Sequence, residues 1–427
     1  MFSRRRFLSA AAVSAGAAAL PAVGDAQRGG QAETALPPSI ASLTSMRSLA
    51  KPVTNAERRG RIEKARALMA DGKIDALLLA GGTSTVYFTN VQWWLSERFF
   101  GIFLTSKGGD FAVCPAFEED RAREQLTTGP LDSIPVLTWH EHEDPYAVAA
   151  KGLRDRGLGT GRLGIEETVR FVFFDGMAKA LPSATLVSGT PVTAGCRGVK
   201  DAHEIALMRL AADVTLKAYT AAWKALRPGM TQSDFAGLVS AAHSRLGFSG
   251  SAGVQIGQYS ALPHGSVKPQ TISEGSILLI DGGCSVEGYR SDISRTFVLG
   301  TPTDKMKKVF AAARKAQDAA LAAARPGVSA ESVDAAARKV IEEAGYGPGY
   351  TYFTHRVGHG LGMDGHEWPY LVKGNTQPLV AGNTFSDEPG IYIPGEFGVR
   401  VEDDMLITPD GAELLTPQSP SLEEPFG

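Results

Sequence analysis

The sequence predicts an α/β (α+β) protein in two parts: an N-terminal domain with a helix-covered sheet, then a larger unit of two similar halves. Three observations carry this. Residues 55–190 alternate short apolar runs with helix-like stretches, the pattern of a sheet covered by helices. In the second part a helix–turn–helix pattern recurs, with Arg227-Pro228-Gly229 and Arg325-Pro326-Gly327 standing 98 residues apart. The chain has 427 residues, 43% hydrophobic and 21% charged, enough for two or three globular domains with sizeable cores.

The same arithmetic excludes several classes. The net charge is -3 and the pI about 6.3, so there is no basic excess with which to bind nucleic acid. A mean hydropathy of -0.07 argues against a polytopic membrane protein. Three cysteines, Cys114, Cys196 and Cys284, are odd in number and far apart, so no disulfide framework is expected.

Residues 1–26 are expected to be a signal peptide. Arg4-Arg5-Arg6-Phe7-Leu8 precedes a small-residue apolar stretch ending near Ala26, which resembles a twin-arginine export signal. The destination is then periplasmic or secreted, with no stable membrane anchor. Residues 27–54 are polar and small, with Pro37-Pro38, and are expected to form a linker. Residues 55–195 form the first domain. A helix over 59–70 carries Ile62, Ala65, Leu68 and Met69 on one face and stops at Gly72. Strands follow at 74–79, 101–105, 110–114, 162–166 and 185–187.

The second unit, 198–427, opens with a long helix over 200–224. Each copy of its repeat runs helix, Pro-Gly turn, capped helix, Gly stop (Gly247 and Gly345), then strands. Two related halves facing each other make one domain with a cleft on the pseudo-axis.

What each half sends to that cleft carries the chemistry. The first supplies Pro263-His264-Gly265, then Asp281 after an apolar run, then Asp292 at hairpin distance. Asp281 is expected at a strand end beside a Gly turn. The second supplies His355, Gly358-His359-Gly360, His366-Glu367, then Glu388 and Glu402 either side of a Pro394-Gly395 turn. Four carboxylates converging in a cleft are intolerable without cations, and two divalent ions would resolve the repulsion. One imidazole with four carboxylates is a hard ligand set, open to Mn, Co, Fe or Zn. Arg400, two residues before Glu402 on a strand, shares its face and is placed to hold ligand carboxylates. By alternation Asp387 points away from Glu388.

These residues resemble the pita-bread metallopeptidases of family M24: aminopeptidase P, prolidase and methionine aminopeptidase. The motifs are Asp281-Gly282-Gly283, Ser291-Asp292-Ile293-Ser294-Arg295-Thr296-Phe297, Gly358-His359-Gly360, Glu388-Pro389-Gly390 and Val401-Glu402-Asp403. The similarity extends to the creatinase-type N-terminal domain. It implies that Asp281 binds one metal, His359 and Glu388 the other, with Asp292 and Glu402 bridging. Manganese is the first expectation. It further implies that Glu388 accepts a proton from a metal-bridging water, and that His355 and His366 contact substrate or its tetrahedral intermediate. His264 lines the pocket, and a homodimer forms. In similar enzymes the stretch holding Trp93, Trp94 and Arg98 reaches an active site, often the partner's.

The expected activity is hydrolysis of the bond before proline in Xaa-Pro dipeptides or peptides. Two alternatives stand beside it. One is a same-fold lyase or amide hydrolase on a small non-peptide substrate, raised by Trp368 at the expected pocket rim. The other is a non-catalytic binding protein. Gly365, before the His-Glu pair, and Ser386-Asp387, before Glu388, depart from the usual pattern. Arg98 and Arg356 are the basic candidates for closing the pocket against a substrate carboxylate.

Overall fold

A computed structural model describes residues 35–426. The export signal expected over 1–26 lies outside them. From Pro38 onward the described chain is one packed body, and it begins with a correction. Residues 38–54 are not a free linker. Helix α1 (Pro38–Ala41) buries Ile40 completely, and Val53 is buried as well, in a cluster with Leu207, Met208 and Leu246. The Met46 amide donates to the Leu246 carbonyl at 2.9 Å. The segment has few apolar residues, but they dock on helices far downstream, which local composition does not reveal.

Helix α2 (Asn55–Asp71) starts at a capping box, Thr54 accepting from the Glu57 amide while Glu57 accepts from the Thr54 amide. There follow β1 (Ala76–Leu79), α3 (Thr83–Thr89), β2 (Gly101–Thr105), β3 (Phe111–Pro115), α4 (Glu119–Thr127), β4 (Val136–Trp139), α5 (Pro145–Arg154), β5 (Arg162–Ile165), α6 (Phe171–Ala180), β6 (Thr185–Ser188) and α7 (Thr190–Arg197). The six strands form one mixed sheet in the order β4-β3-β2-β1-β5-β6. Its central strands are buried on both faces, which is why they read as continuous apolar runs. The sequence reading passes over β4, a half-buried edge strand directly after Pro135.

The second unit contains the expected duplication. Its first half runs α8 (Ala202–Trp223), α9 (Gln232–Leu246), β7 (Ser249–Ile256), β8 (Ile277–Val286), β9 (Tyr289–Arg290) and β10 (Ile293–Val298). Its second half runs α10 (Asp304–Ala323), α11 (Ala330–Glu343), β11 (Gly358–Gly360), β12 (Glu367–Leu371), β13 (Thr384–Asp387), β14 (Gly390–Ile393), β15 (Phe397–Arg400), β16 (Asp403–Ile407) and β17 (Ala412–Leu414). The likeness extends to single bonds. Gly229 and Gly327 have φ of 88° and 87°, a conformation that favours glycine. Gly229 N donates to Ile272 O at 2.8 Å and Gly327 N to Leu379 O at 2.9 Å. Each turn is thus clipped to its own half by the same backbone bond.

The halves are stitched together where β10 runs beside β15. Thr296 Oγ1 donates to Arg400 O at 2.8 Å, and Glu402 N donates to Ser294 O at 3.3 Å. The short strand β11 lies between β12 and β13, and its glycines are there for space. A Cβ on Gly358 would fall 1.9 Å from Ser386 O, and one on Gly360 2.3 Å from Glu367 O. Both obstacles are backbone and cannot yield cheaply. Gly358→Ala is therefore expected to destabilise the protein by about 3 kcal/mol, read as a lowered thermal midpoint; an unchanged midpoint would contradict this packing.

Candidate active site

The expected ligands converge from both halves. Asp281 sits on β8 and pairs in register with Ser294 of β10. It is not at a strand end, as the apolar run before it implied. β8 continues through Gly282 and Gly283, because neighbouring strands pass close enough there to exclude side chains. A Cβ on Gly282 would meet Ser251 O at 2.4 Å, and one on Gly283 would meet Ser291 O at 1.9 Å. Asp292 lies on the hairpin return into β10, as its spacing required. Glu388 and Glu402 stand at the open end of the β14–β15 hairpin, whose last pair is Gly390 with Arg400.

Two overlapping groups of ligand atoms result. His359, Glu388 and Glu402 form one, and Asp281, Asp292 and Glu402 the other. Within each, the atoms lie within 4.8 Å of one another. A third group joins Asp292 and His359 to His366. His359 Nε2 is 3.3 Å from Glu388 Oε1 and 3.7 Å from Asp292 Oδ2. His359 Nδ1 lies 3.1 Å from the Gly360 carbonyl, which only accepts; the proton is therefore assigned to Nδ1, leaving the Nε2 lone pair facing the acids.

The electrostatics show what these acids can hold. Burial, then Asp281 and Glu388, push Asp292 well above the usual carboxylate range. Burial, then Asp292 and Glu388, do the same to Glu402. Burial raises Glu388 to about 7. Asp281 alone is held low: burial opposes this, but the Arg400 guanidinium at 2.6 Å and the Ser294 hydroxyl overcome it. Protons could neutralise these acids, but divalent cations satisfy the same lone pairs and pay the desolvation cost in full. The residues fit a divalent metal centre.

Arg400 acts on the ligands, as its place on the strand implied. Besides Asp281, it donates through Nε to Ser294 Oγ at 2.8 Å and through Nη1 to Tyr392 OH at 3.2 Å. His355 lines the cavity, but both its ring nitrogens are engaged. Nδ1 lies 2.8 Å from Arg356 O and Nε2 2.7 Å from Tyr392 OH. His366 is the more open imidazole. It is exposed and stacked on His359 with centroids 3.7 Å apart, and its Nδ1 lies 3.4 Å from Arg356 Nη2. His264 also lines the cavity, whose volume is about 390 Å³.

Three supporting groups escaped the sequence reading. Ser294 Oγ contacts both Asp281 and Glu402, carboxylates from opposite halves. Ser386 Oγ accepts from the His359 amide at 3.0 Å and donates to Glu388 Oε1 at 3.1 Å, tying two ligands together. Tyr392 connects His355 to Arg400. The alternation of Glu388 with a hydroxyl residue two positions before it was the available signal for Ser386. Ser294 and Tyr392 depend on long-range pairing. Asp387 is fully buried away from the ligands, with neither carboxylate oxygen hydrogen-bonded.

The aromatic expectations divide. Trp93 is core, stacked on Phe100 with centroids 4.1 Å apart. Trp94 is 80% exposed, and Arg98 pairs with Glu97 and Glu141. None of the three lines the cavity that holds the acids. Trp368 is not at the pocket rim. It is half-buried and is not among the residues lining the cavity, and Arg197 lies 5.8 Å from its ring centroid.

Residues 206–409 match the Metallopeptidase family M24, and residues 61–199 match the Creatinase/Prolidase N-terminal domain. The Xaa-Pro dipeptidase of Lactobacillus helveticus is 32% identical over 361 residues, covering 83% of this chain and 96% of the relative. The chain belongs to metallopeptidase family M24. Its fold agrees with that of solved members. The dipeptidase PepE of Mycobacterium ulcerans superposes with a TM-score of 0.81 at 31% identity, over 87% of this chain and 99% of that one. The recombinant prolidase of Thermococcus sibiricus does so with 0.76 at 30%, over 86% and 98%. This M24 enzyme is therefore a metallopeptidase with the pita-bread architecture and a creatinase-type N-terminal domain.

A pH dependence follows from the raised carboxyls. In the metal-free protein Glu388 titrates near 7, so below that pH a proton occupies a ligand position that a metal must clear. The affinity for Mn²⁺ is expected to fall as the pH drops from about 8 to 6, with proton release on binding. Titration calorimetry in buffers of different ionisation enthalpy measures both. An affinity that rises on acidification would contradict this account.

Proposed function

We propose that this metallopeptidase is an exported, dinuclear Xaa-Pro dipeptidase that works as a homodimer. The observation that carries the proposal is Glu402 belonging to both ligand groups, which supports two cation positions sharing one carboxylate. The names of the relatives support the substrate, since they include Xaa-Pro dipeptidases and prolidases. A cavity of about 390 Å³ suits a small peptide. Arg356 lines it and, among the described residues, has no carboxylate within 4.0 Å. That leaves its charge free for a substrate's terminal carboxylate.

Divalent cations bound by Asp281, Asp292, His359, Glu388 and Glu402 would supply Lewis acidity toward the scissile carbonyl and an acidified water. The chain's own residues do the rest. Glu388, which lines the cavity beside His359, takes the proton of the attacking water and passes it to the leaving proline nitrogen. His366, open to the cavity, donates to the developing oxyanion. Arg400 and Ser294 keep the carboxylates from both halves fixed while charge moves.

For the homodimer, the exposed Trp94, Phe117 and Phe171 supply apolar surface that a second copy would cover. For export, no helix among the described residues is long and apolar enough to cross a membrane, and the paired arginines provide the route.

Two expected outcomes test this. The metal-loaded protein should carry about two ions per chain and cleave Xaa-Pro dipeptides faster than longer Xaa-Pro peptides. Glu402→Gln should abolish turnover while the fold persists by circular dichroism. Inactivity across an Xaa-Pro panel at full metal loading would refute the assignment. Separately, replacing Arg4 and Arg5 by Lys should retain active enzyme inside the cell, and export at the normal level would remove the twin-arginine assignment.

A further inference from the structure

His366 stands in the connection between β11 and β12, and nothing in its own strand order holds it. The preceding residue, Gly365, gives no packing: a Cβ there would meet nothing within 4 Å. Yet the imidazole lies flat over His359, centroids 3.7 Å apart and planes 21° apart. What holds it comes from elsewhere in the fold.

The acids flanking His366 are both clamped. Arg197, the last residue of α7, sends Nη2 to Asp364 Oδ2 at 2.5 Å and to Glu367 Oε2 at 2.6 Å. Lys200 Nζ meets Glu367 Oε1 at 2.5 Å. The side chains of Arg197, Lys200 and Glu367 are 1–2% exposed, so little solvent competes with these bonds. The other oxygen of Asp364 accepts from Thr83 Oγ1 at 2.6 Å, and Arg197 Nη1 donates to Ser84 Oγ at 3.1 Å. Thr83 and Ser84 open helix α3, on the sheet of the N-terminal domain. Two acids two residues apart from His366 or next to it are thus pinned by groups from the other domain. Both carboxylates are bound by Nη2 while Nη1 reaches Ser84, so one planar guanidinium ties the two acids to helix α3.

We propose that Arg197, Thr83 and Asp364 form an interdomain clamp that positions His366 over the metal-binding residues, making the N-terminal domain part of the catalytic apparatus. The inference rests on the reading of His366 as a substrate-contacting group. Arg197, Thr83 and Asp364 touch no substrate and are positioning residues. Glu367 is a poor target for testing, because its removal strands two buried cations. Asp364 is 37% exposed and its loss leaves Arg197 paired with Glu367.

The test compares Asp364→Asn and Thr83→Val, each in the natural background and in His366→Ala, all fully metal-loaded and assayed on an Xaa-Pro dipeptide. In the natural background each should lower kcat about tenfold or more, with KM within about twofold and the metal content unchanged. In the His366→Ala background each should cost nothing further, because the clamp acts only through that imidazole. Equal losses in both backgrounds, or no loss in either, would overturn the clamp. His366→Ala with undiminished kcat would overturn the reading of His366 itself. A measurement independent of turnover separates the two: in metal-free protein the His366 imidazole ¹H–¹⁵N resonances should shift or broaden in Asp364→Asn, and unchanged resonances would refute the positioning.

Discussion

Repulsion among four carboxylates is the constraint on which this structure turns. Asp281, Asp292, Glu388 and Glu402 converge in a buried cleft, and burial first, then the neighbouring acids, drives Asp292, Glu388 and Glu402 toward protonation. Arg400 pairs at 2.6 Å with Asp281 and at 3.7 Å with Glu402, which offsets only part of the charge and leaves the rest for metal to neutralise. The hydroxyls of Ser294 and Ser386 aim lone pairs that would otherwise splay apart. The glycines around the site follow from the same demand. Strands must approach to backbone contact at Gly283, Gly358 and Gly360 for acids on different strands to reach one point.

Duplication solves the geometric part of the problem. Each half is closed by its own turn-to-loop bond, at Gly229 and at Gly327, and each presents carboxylates from a hairpin. Neither half holds enough ligands for the full set. The seam between β10 and β15 is consequently both a structural joint and the place where the ligand groups overlap, since Ser294 and Glu402 lie on it. The N-terminal domain enters through Arg197, so all three parts of the fold converge on two histidines.

Much of the site was legible in the sequence because the ligands occur in short local motifs with hairpin spacing. The separation of Asp281 from Asp292, and of Glu388 from Glu402, implied strand returns that the structure contains. The Gly-His-Gly motif pointed to His359. The strand-end placement of Asp281 failed for a physical reason: Gly282-Gly283 reads locally as a turn but serves close strand packing. Ser294 and Tyr392 were hidden because their partners lie about a hundred residues away or on a different hairpin. Trp368 was placed at the rim from its nearness to His366 in sequence, whereas its ring lies near Arg197. In the N-terminal domain the buried central strands were plain, whereas the edge strand β4, apolar at Val136, Leu137 and Trp139 but only four residues long and preceded by Pro135, was passed over.

The segment from Pro38 to Thr54 has a practical consequence. Ile40 and Val53 sit in the same cluster as Tyr289 and Leu361, which neighbour Asp292 and His359 along the chain. Ser39 Oγ donates to Ala221 O, and Arg245 Nη2 donates to Ala41 O. Any shortening of the chain from its N-terminal side must therefore stop short of Pro38. A cut at Asn55, where the first long helix begins, would strip a wedge from beneath the strands that carry the acids and leave a greasy furrow in its place.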